Sequence, residues 1–117
     1  MAKKILIIDD DPAIVEFLDD FLRDNDFTTV AAFNGVEGLE MLKTESPDLV
    51  TLDMDMPAKG GVMFYVGMRK DEATKEIPVV VVSGVGPRPP AVGKDVPVIT
   101  KPIDTDALLG HINGLLG

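Results

Sequence analysis

The chain has 117 residues, no cysteine, and 20 acidic against 11 basic side chains, which gives a formal net charge of −9. This length predicts a single domain over residues 1–117, since domains usually have roughly 100–200 residues, and the lack of cysteine excludes thiol catalysis, disulfides and thiolate metal sites. An acidic chain without a basic stripe lacks the cations that displace counterions from phosphates, so we expect no direct binding to nucleic acid or to anionic membranes.

The first predicted elements are a strand and a helix. Residues 5–8 (ILII) are a short run of branched aliphatic side chains, typical of a strand buried on both faces. Because this apolar run is short and meets three aspartates, it is neither a signal peptide nor a membrane span, and we expect a cytoplasmic protein. Asp11 can cap a helix that begins at Pro12. Its apolar stripe has helical spacing and consists of Ile14, Val15, Leu18, Phe21 and Leu22, while Asp19, Asp20 and Asp24 lie on the solvated face.

The rest of the chain continues this alternation. Further strands buried on both faces are predicted at residues 30–33, 49–52, 79–82 and 98–100. Asn34 with Glu37 starts a second predicted helix that runs to about residue 45, and further helices are predicted at 61–70 and from a cap at Asp104 onward. Residues 83–97 break the rhythm with four prolines and three glycines, and proline lacks the amide that a helix needs, so we predict mostly loop there. Strands that alternate with helices indicate an α/β fold with a doubly wound parallel sheet.

The residues that close the predicted strands are polar. In open α/β sheets, ligands bind at the carboxyl ends of the strands. Asp9 and Asp10 follow the first strand, Asp53 follows the third with Asp55 two residues on, Ser83 follows the fourth, and Lys101 follows the fifth. If three carboxylates converge there, their repulsion weakens the fold unless a cation is bound. Hard oxygen ligands suit Mg²⁺, with Mn²⁺ as the alternative.

A metal, a free aspartate oxygen, a hydroxyl and an ammonium together suit phosphoryl transfer, in which catalysis is mostly positioning and charge neutralisation. Asp53 would attack phosphorus as an aspartyl nucleophile. Lys101 and the metal would neutralise phosphoryl oxygens, and Ser83 would hydrogen-bond another. Simpler interpretations stay open, since Ser83 could cap the next turn and Lys101 could be a surface lysine.

The chain resembles, over essentially its whole length, the receiver domains of two-component response regulators. The motifs are ILIIDDDP with the acidic pair Asp9 and Asp10, DLVTLDMDMP with the phosphoacceptor Asp53, Gly61 as the small residue after a loop, IPVVVVSG with the hydroxyl of Ser83, and TKPID with Lys101 and Pro102. The resemblance implies a flavodoxin-like sheet of order 2-1-3-4-5. It also implies that Asp10 and Asp53 ligate Mg²⁺ directly, that Asp9 does so partly through water, and that the backbone carbonyl of Asp55 is a further ligand.

The chain also departs from that family. An aromatic residue usually stands three positions before the lysine, and here that position is Val98. The family's fourth helix corresponds to the proline-rich segment, so we expect it to be shortened or replaced by a loop that begins at Gly84 and acts as an altered switch element. By resemblance, the side chains of Asp55 and Val85 tune hydrolysis of the phosphoaspartate.

The function that this resemblance implies is a phosphoacceptor module, not an enzyme in the usual sense. A histidine kinase or histidine phosphotransfer protein would phosphorylate Asp53, and an unknown downstream protein would bind the switched surface. Two alternatives stay open. DMD at residues 53–55 also resembles the DxD motif of haloacid-dehalogenase-type phosphatases, with Asp55 as acid or base, and the altered fourth-helix region favours a pseudo-receiver that binds without phosphorylation.

Two other side-chain types have simpler interpretations. A single histidine without a partner is weak evidence for catalysis or metal binding, so we expect His111 on an exposed helix face. Methionine fills irregular gaps in cores, and we expect that role around the third helix for Met54, Met56, Met63 and Met68, with a surface that contacts a partner as the alternative.

Overall fold

The computed structural model describes residues 2–57, 60–84 and 90–117. These residues form five strands and four helices, in the order β1 (Lys4–Ile8), α1 (Pro12–Asp24), β2 (Thr28–Ala32), α2 (Gly35–Glu45), β3 (Leu49–Asp53), α3 (Gly60–Lys70), β4 (Val79–Ser83), β5 (Val98–Thr100) and α4 (Thr105–Leu116). The sheet order is β2-β1-β3-β4-β5 and every neighbouring pair is parallel. The predicted flavodoxin-like fold is confirmed.

Capping residues begin three of the helices at the predicted positions. Asp11 accepts a hydrogen bond from the Ala13 amide at 2.9 Å, and Asp104 accepts one from the Ala107 amide at 3.1 Å. The Asn34 side chain accepts from the amide of Glu37 at 2.8 Å, and the Glu37 carboxylate accepts in return from the amide of Phe33. Such caps satisfy amides that have no partner inside the helix, which explains why these boundaries could be read locally.

The sheet is covered on both faces, as the pattern of its strands requires. Alternate side chains of a strand point to opposite faces. Leu6 and Ile8 therefore belong to a core shared with α2 and α3, whereas Ile5 and Ile7 belong to a core shared with α1 and α4. The central strands β1, β3 and β4 are buried almost throughout. Because these three strands are buried on both faces, packing fixes their carboxyl ends side by side at the same end of the sheet.

The prediction of burial on both faces was wrong for the two outermost strands of the sheet, since in β5 only Ile99 is buried and β2 is exposed in part as well. This strand begins at Thr28, two residues before the predicted start, and most of its residues are only partly buried. It lies at the edge of the sheet, so one side has no neighbouring strand. Phe33, predicted as the last strand residue, lies beyond the end of β2 and is 43 % exposed.

Asp19 on α1 also differs from its predicted role as a purely solvated residue. Its carboxylate accepts hydrogen bonds from the hydroxyl of Thr29 on β2 and from Arg23, the latter at 2.9 Å. The bond from Thr29, with the bond from Arg23, holds the pKa of Asp19 below its usual value. Asp20 and Asp24 are exposed as predicted.

The segment before β5 covers the sheet without helical structure in its described part. Residues 90–97 form turns and bends. Val92 and Val96 are nevertheless buried, and both join the core beside Tyr65 of α3. These valines thus fill space between β4, β5 and α3, in agreement with the predicted loop. The predicted switch residue Val85 lies outside the described residues.

Two of the four methionines fill the core as predicted, since Met56 and Met68 are buried, and Met54 packs against the same core while partly buried. Met63 is 43 % exposed, so the prediction was wrong for this side chain. His111 is exposed on α4, as expected.

Thr51 in the middle of β3 allows the cost of a buried hydroxyl group to be measured. Its side chain is buried, and among the described residues its hydroxyl has no hydrogen-bond partner. A buried polar group without a partner is costly, so we expect Thr51→Val to raise the free energy of unfolding by about 1 kcal/mol. Urea unfolding measures the change.

Thr74→Val is the matched control for that substitution. Thr74 is also buried, but its hydroxyl donates to the carbonyl of Met68 at 2.8 Å. Here the same change is expected to lower the free energy of unfolding by about 1 kcal/mol, because the Met68 carbonyl loses the shorter of its two hydrogen bonds and keeps, among the described residues, only the one from the Asp71 amide at 3.4 Å. Equal effects of the same sign at both positions would contradict the assignment for Thr51.

Candidate functional site

The polar strand ends meet at the carboxyl edge of the sheet. Asp9 follows β1, Asp53 is the last residue of β3, Ser83 is the last residue of β4, and Lys101 follows β5. The strands are adjacent in the order β1-β3-β4-β5, so these four residues lie on neighbouring strands. The predicted position of these four residues, at the carboxyl ends of the strands, is therefore the observed one.

Three carboxylates form a compact acidic triad. Asp9, Asp10 and Asp53 each offer a carboxylate oxygen, and these oxygens lie within 4.8 Å of one another. Asp9 and Asp53 are each 2 % exposed, whereas Asp10 is exposed to solvent. Such a set of hard oxygen donors, open on one side, fits a divalent cation that keeps some of its water, such as Mg²⁺ or Mn²⁺.

Local hydrogen bonds orient the two buried members. The Asp9 carboxylate accepts from the Asp11 amide, and the Asp53 carboxylate accepts from the Asp55 amide, both at 2.9 Å. In each case the acceptor lies two residues before the donor, which is an Asx-type turn. The turns after β1 and β3 therefore fix the directions of the carboxylates.

Lys101 balances part of the negative charge. Its Nζ lies 3.3 Å from Asp53 Oδ1, 3.7 Å from Asp55 Oδ2 and 4.0 Å from Asp9 Oδ2. Burial alone lowers the pKa of Lys101, but the carboxylates, with Asp53 first, raise it more, and the net shift is upward. The ammonium is therefore charged at neutral pH and is paired with these carboxylates.

The pKa of Asp9 is raised by its buried position among these charges. Burial raises its pKa to about 6; the hydrogen bond from the Asp11 amide and the charge of Lys101 oppose the rise, and the neighbouring Asp53 adds to it. A carboxylate with a raised pKa is held in its charged form at a cost in stability at neutral pH. A bound cation would offset that cost.

The Asp55 side chain has contacts that sequence reasoning missed. By resemblance, its main-chain carbonyl was predicted to ligate the metal and its side chain to tune hydrolysis of the phosphoaspartate, but no partner of that side chain was predicted. Instead, Oδ2 accepts from the Gly84 amide at 2.5 Å and Oδ1 lies 3.4 Å from the Ser83 hydroxyl oxygen. Residue types give no signal for this contact, because it depends on how the chain turns after β3.

Gly61 lies where only a glycine fits. A Cβ at this position would be 2.6 Å from the carbonyl oxygen of Asp53 and 2.9 Å from Cα of Met54. The start of α3 thus packs directly on the backbone of the residue that bears the central carboxylate. This explains the small residue that the sequence pattern singled out.

Val98 is the first residue of β5, where it pairs with Val81 and packs partly buried against the core. It provides an aliphatic contact where the family pattern has an aromatic ring. Tyr65 of α3 belongs to the same core, and its hydroxyl accepts a hydrogen bond from the Gly93 amide at 3.5 Å.

Comparison with known proteins agrees with this geometry. The family model of the response regulator receiver domain matches residues 5–113. Protein PilH of Pseudomonas aeruginosa is 33 % identical over 117 residues, which cover 97 % of both chains. Protein Rrf1 of Nitratidesulfovibrio vulgaris is 30 % identical over 99 % of this chain and 84 % of its own.

Other curated relatives are longer. The DNA-binding dual master transcriptional regulator RpaA of Synechocystis sp. is 32 % identical over 97 % of this chain, yet that match covers only 48 % of RpaA. For the probable C4-dicarboxylate response regulator DctR of Bacillus subtilis, the match covers 35 %. The chain thus spans half or less of the length of these relatives.

Solved structures agree in fold over nearly all of both chains. The signal receiver domain of a signal transduction histidine kinase from Syntrophus aciditrophicus superposes with a TM-score of 0.86 at 30 % identity, covering 98 % of this chain and 90 % of the other. A CheY-like response regulator receiver domain protein from Methanospirillum hungatei superposes with a TM-score of 0.87 at 26 % identity, covering 99 % and 94 %.

None of the helices in the described part of the chain is long and apolar enough to cross a membrane. The family match over residues 5–113, the sheet order, and the acidic triad beside Lys101 lead to one conclusion. The chain belongs to the response regulator receiver domain family of two-component signal transduction.

Proposed function

We propose that this receiver domain accepts a phosphoryl group on Asp53 from a histidine kinase or a histidine phosphotransfer protein. One observation carries the proposal: the Asp53 carboxylate is a member of the acidic triad and lies 3.3 Å from the Lys101 ammonium. The nucleophile and the cationic group that phosphoryl transfer needs are thus adjacent.

In the transfer, an Asp53 carboxylate oxygen forms a bond to phosphorus while the bond between phosphorus and the donor's imidazole nitrogen breaks. The electron pair of that bond returns to the imidazole, and Asp53 becomes an acyl phosphate. Lys101 pairs with one phosphoryl oxygen and the Ser83 hydroxyl donates to another. Asp9, Asp10 and Asp53, with the Asp55 carbonyl, would hold Mg²⁺, which when bound supplies positive charge against the phosphoryl oxygens.

The surroundings of Lys101 support a protein as the donor. A surface pocket of about 360 Å³ lies beside it, lined by Ala13, Ile14, Phe17, Lys101, Pro102 and Ile103. Phe17 is 48 % exposed there. An exposed aromatic residue in an apolar hollow is typical of a protein contact, and it adjoins the groups that would receive the phosphoryl group.

The output would be a change in the segment that follows β4. Ser83 and Gly84 stand at the site, whereas Val92 and Val96 anchor the later part of this segment against α3. A phosphoryl group that draws Ser83 inward would therefore change the conformation of the chain at Ser83 and Gly84, and a downstream protein could recognise that change. We place this exchange in the cytoplasm, with residues 1–117 acting as a single receiver unit.

The decisive test is phosphorylation by a small donor. We expect that acetyl phosphate with Mg²⁺ adds the mass of one phosphoryl group, observed by intact mass spectrometry, and that the adduct decays slowly. Asp53→Asn is expected to lose the mass gain entirely, because an amide is not a nucleophile toward phosphorus. Asp24→Asn, an exposed aspartate at the end of α1, is the control and should gain the mass.

Other results would decide for the two alternatives. Fast, continuous phosphate release without a lasting adduct would favour a haloacid-dehalogenase-like phosphatase that uses Asp53 and Asp55. No adduct with any divalent metal, together with no Mg²⁺ affinity, would favour a pseudo-receiver. The family match and the close ion pair of Lys101 with Asp53 favour the phosphoacceptor over both.

A further inference from the structure

The groups available to hold a phosphoryl group are already engaged by a carboxylate of the chain itself. Besides Ser83 and Lys101, the Gly84 amide points toward the site. The Asp55 carboxylate accepts from that amide at 2.5 Å, lies 3.4 Å from the Ser83 hydroxyl oxygen and lies 3.7 Å from the Lys101 ammonium. Three donors from two strand ends thus converge on one anion.

The position of Asp55 is held from both sides. Its own amide donates to the Asp53 carboxylate at 2.9 Å, which fixes its backbone beside the proposed phosphoacceptor. On the other side, a Cβ on Gly84 would come within 3.0 Å of Asp55 Oδ2. The glycine therefore permits the close approach of the carboxylate.

A carboxylate and a phosphoryl group are both oxyanions and accept from the same donors. Hydrogen bonds from an amide or hydroxyl to a charged acceptor are stronger than those between neutral groups. A phosphoryl group on Asp53 would need Ser83 and Lys101 for its own oxygens. It could not share these donors fully with a second anion, because like charges at such distances repel.

We propose that the Asp55 carboxylate is an internal competitor for the phosphoryl-binding groups. In the unphosphorylated chain it engages Ser83, Gly84 and Lys101, and it leaves them when Asp53 is phosphorylated. This inference rests on the proposed function, since it assigns a resident anion to the same groups. It makes Asp55 a positioning residue that sets how readily the site accepts an oxyanion.

The contact with Gly84 can be tested without any phosphorylation. We expect the Gly84 amide proton of the metal-free protein to be strongly deshielded in proton–nitrogen NMR spectra, because its acceptor is a close carboxylate. Asp55→Ala removes the acceptor and should shift this resonance upfield. Asp55→Asn keeps an oxygen without the charge and should give an intermediate shift. Both variants keep the main-chain carbonyl of residue 55.

The competition itself can be measured with beryllium fluoride, a phosphoryl analogue, in the presence of Mg²⁺. Titration of the same amide resonances should show that Asp55→Ala binds the analogue about tenfold more tightly than the unsubstituted chain, the effect of no longer breaking one charge-assisted hydrogen bond. Asp106→Asn removes one exposed carboxylate from the first turn of α4. It controls for net charge and should bind like the unsubstituted chain.

Equal or weaker binding by Asp55→Ala, or an unchanged Gly84 resonance, would overturn the inference while the proposed function stands. A tenfold gain in Asp106→Asn as well would also overturn it, because net charge would then explain the effect. If no variant binds the analogue and the unsubstituted chain gains no mass from acetyl phosphate, the proposed function fails and the inference fails with it.

Discussion

Asp9→Asn is expected to stabilise the metal-free domain by about 2–3 kcal/mol at pH 7.5 while it weakens Mg²⁺ binding severely. Burial, with Asp53 adding to it, raises the pKa of Asp9 from 3.8 to about 6, and one pKa unit corresponds to about 1.4 kcal/mol. An asparagine needs no charge, and its amide can donate to Asp53, as the protonated acid does. Its oxygen can still accept from the Asp11 amide.

The sign of the pH dependence follows from the direction of the shift. A group whose pKa is higher in the folded than in the unfolded chain contributes its stability fully below the unfolded value, near 3.8, and this stability is lost as the pH rises through about 6. As the pH rises from 4 to 7, ionisation of Asp9 therefore progressively lowers the free energy of unfolding, and Asp9→Asn should remove this pH-dependent loss. Urea unfolding in chelator at pH 4.5 and 7.5 measures it.

Asp10→Asn is the matched control, since it makes the same change one residue later on an exposed side chain. Because Asp10 stays exposed in the folded chain, we expect a much smaller gain in the free energy of unfolding, although Mg²⁺ affinity should fall there too. Saturating Mg²⁺ should narrow the difference between Asp9→Asn and the unsubstituted chain, because binding stabilises only the chain that can bind. A metal-free Asp9→Asn domain that is less stable at pH 7.5 would refute the account.

Gly61→Ala is expected to lower the free energy of unfolding by about 1–3 kcal/mol, the usual cost of forcing a group into a filled site. The added Cβ would lie 2.6 Å from the Asp53 carbonyl oxygen, which belongs to the backbone and cannot rotate away. The start of α3 and the end of β3 must therefore separate. This moves Asp53 relative to Lys101, and we expect weaker Mg²⁺ binding and slower phosphorylation as well.

Gly110→Ala is the control, because it makes an identical change inside helix α4. A Cβ at Gly110 would have no atom within 4 Å among the described residues. Alanine is a better helix former than glycine by roughly 1 kcal/mol, so this variant should be more stable and phosphorylate normally. If both variants gain stability, the packing of α3 on the Asp53 backbone is looser than the structure indicates.

The candidate site could be predicted from the sequence to the extent that it depends on strand ends. Parallel strands bring their carboxyl ends to one edge, so the positions of Asp9, Asp53, Ser83 and Lys101 along the chain were enough to bring them together. The exposure of Asp10 against the burial of Asp9 could not be predicted in this way. These neighbours have the same chemistry, and only the packing around them separates their roles.

What the sequence by itself determined is the alternation of strands and helices, the helix caps at Asp11, Asn34 and Asp104, and the set of polar residues at the strand ends. These features depend on contacts within a few residues, or on the period of the pattern. The tertiary structure alone decided the partial exposure of β2, the close approach at Gly61, and the engagement of Ser83, Gly84 and Lys101 by Asp55. The reason is physical: each of these depends on which segments lie side by side and how closely their backbones approach. Asp55 and Ser83, for example, are 28 positions apart in the chain, and the residues around them carry no local signal that they meet.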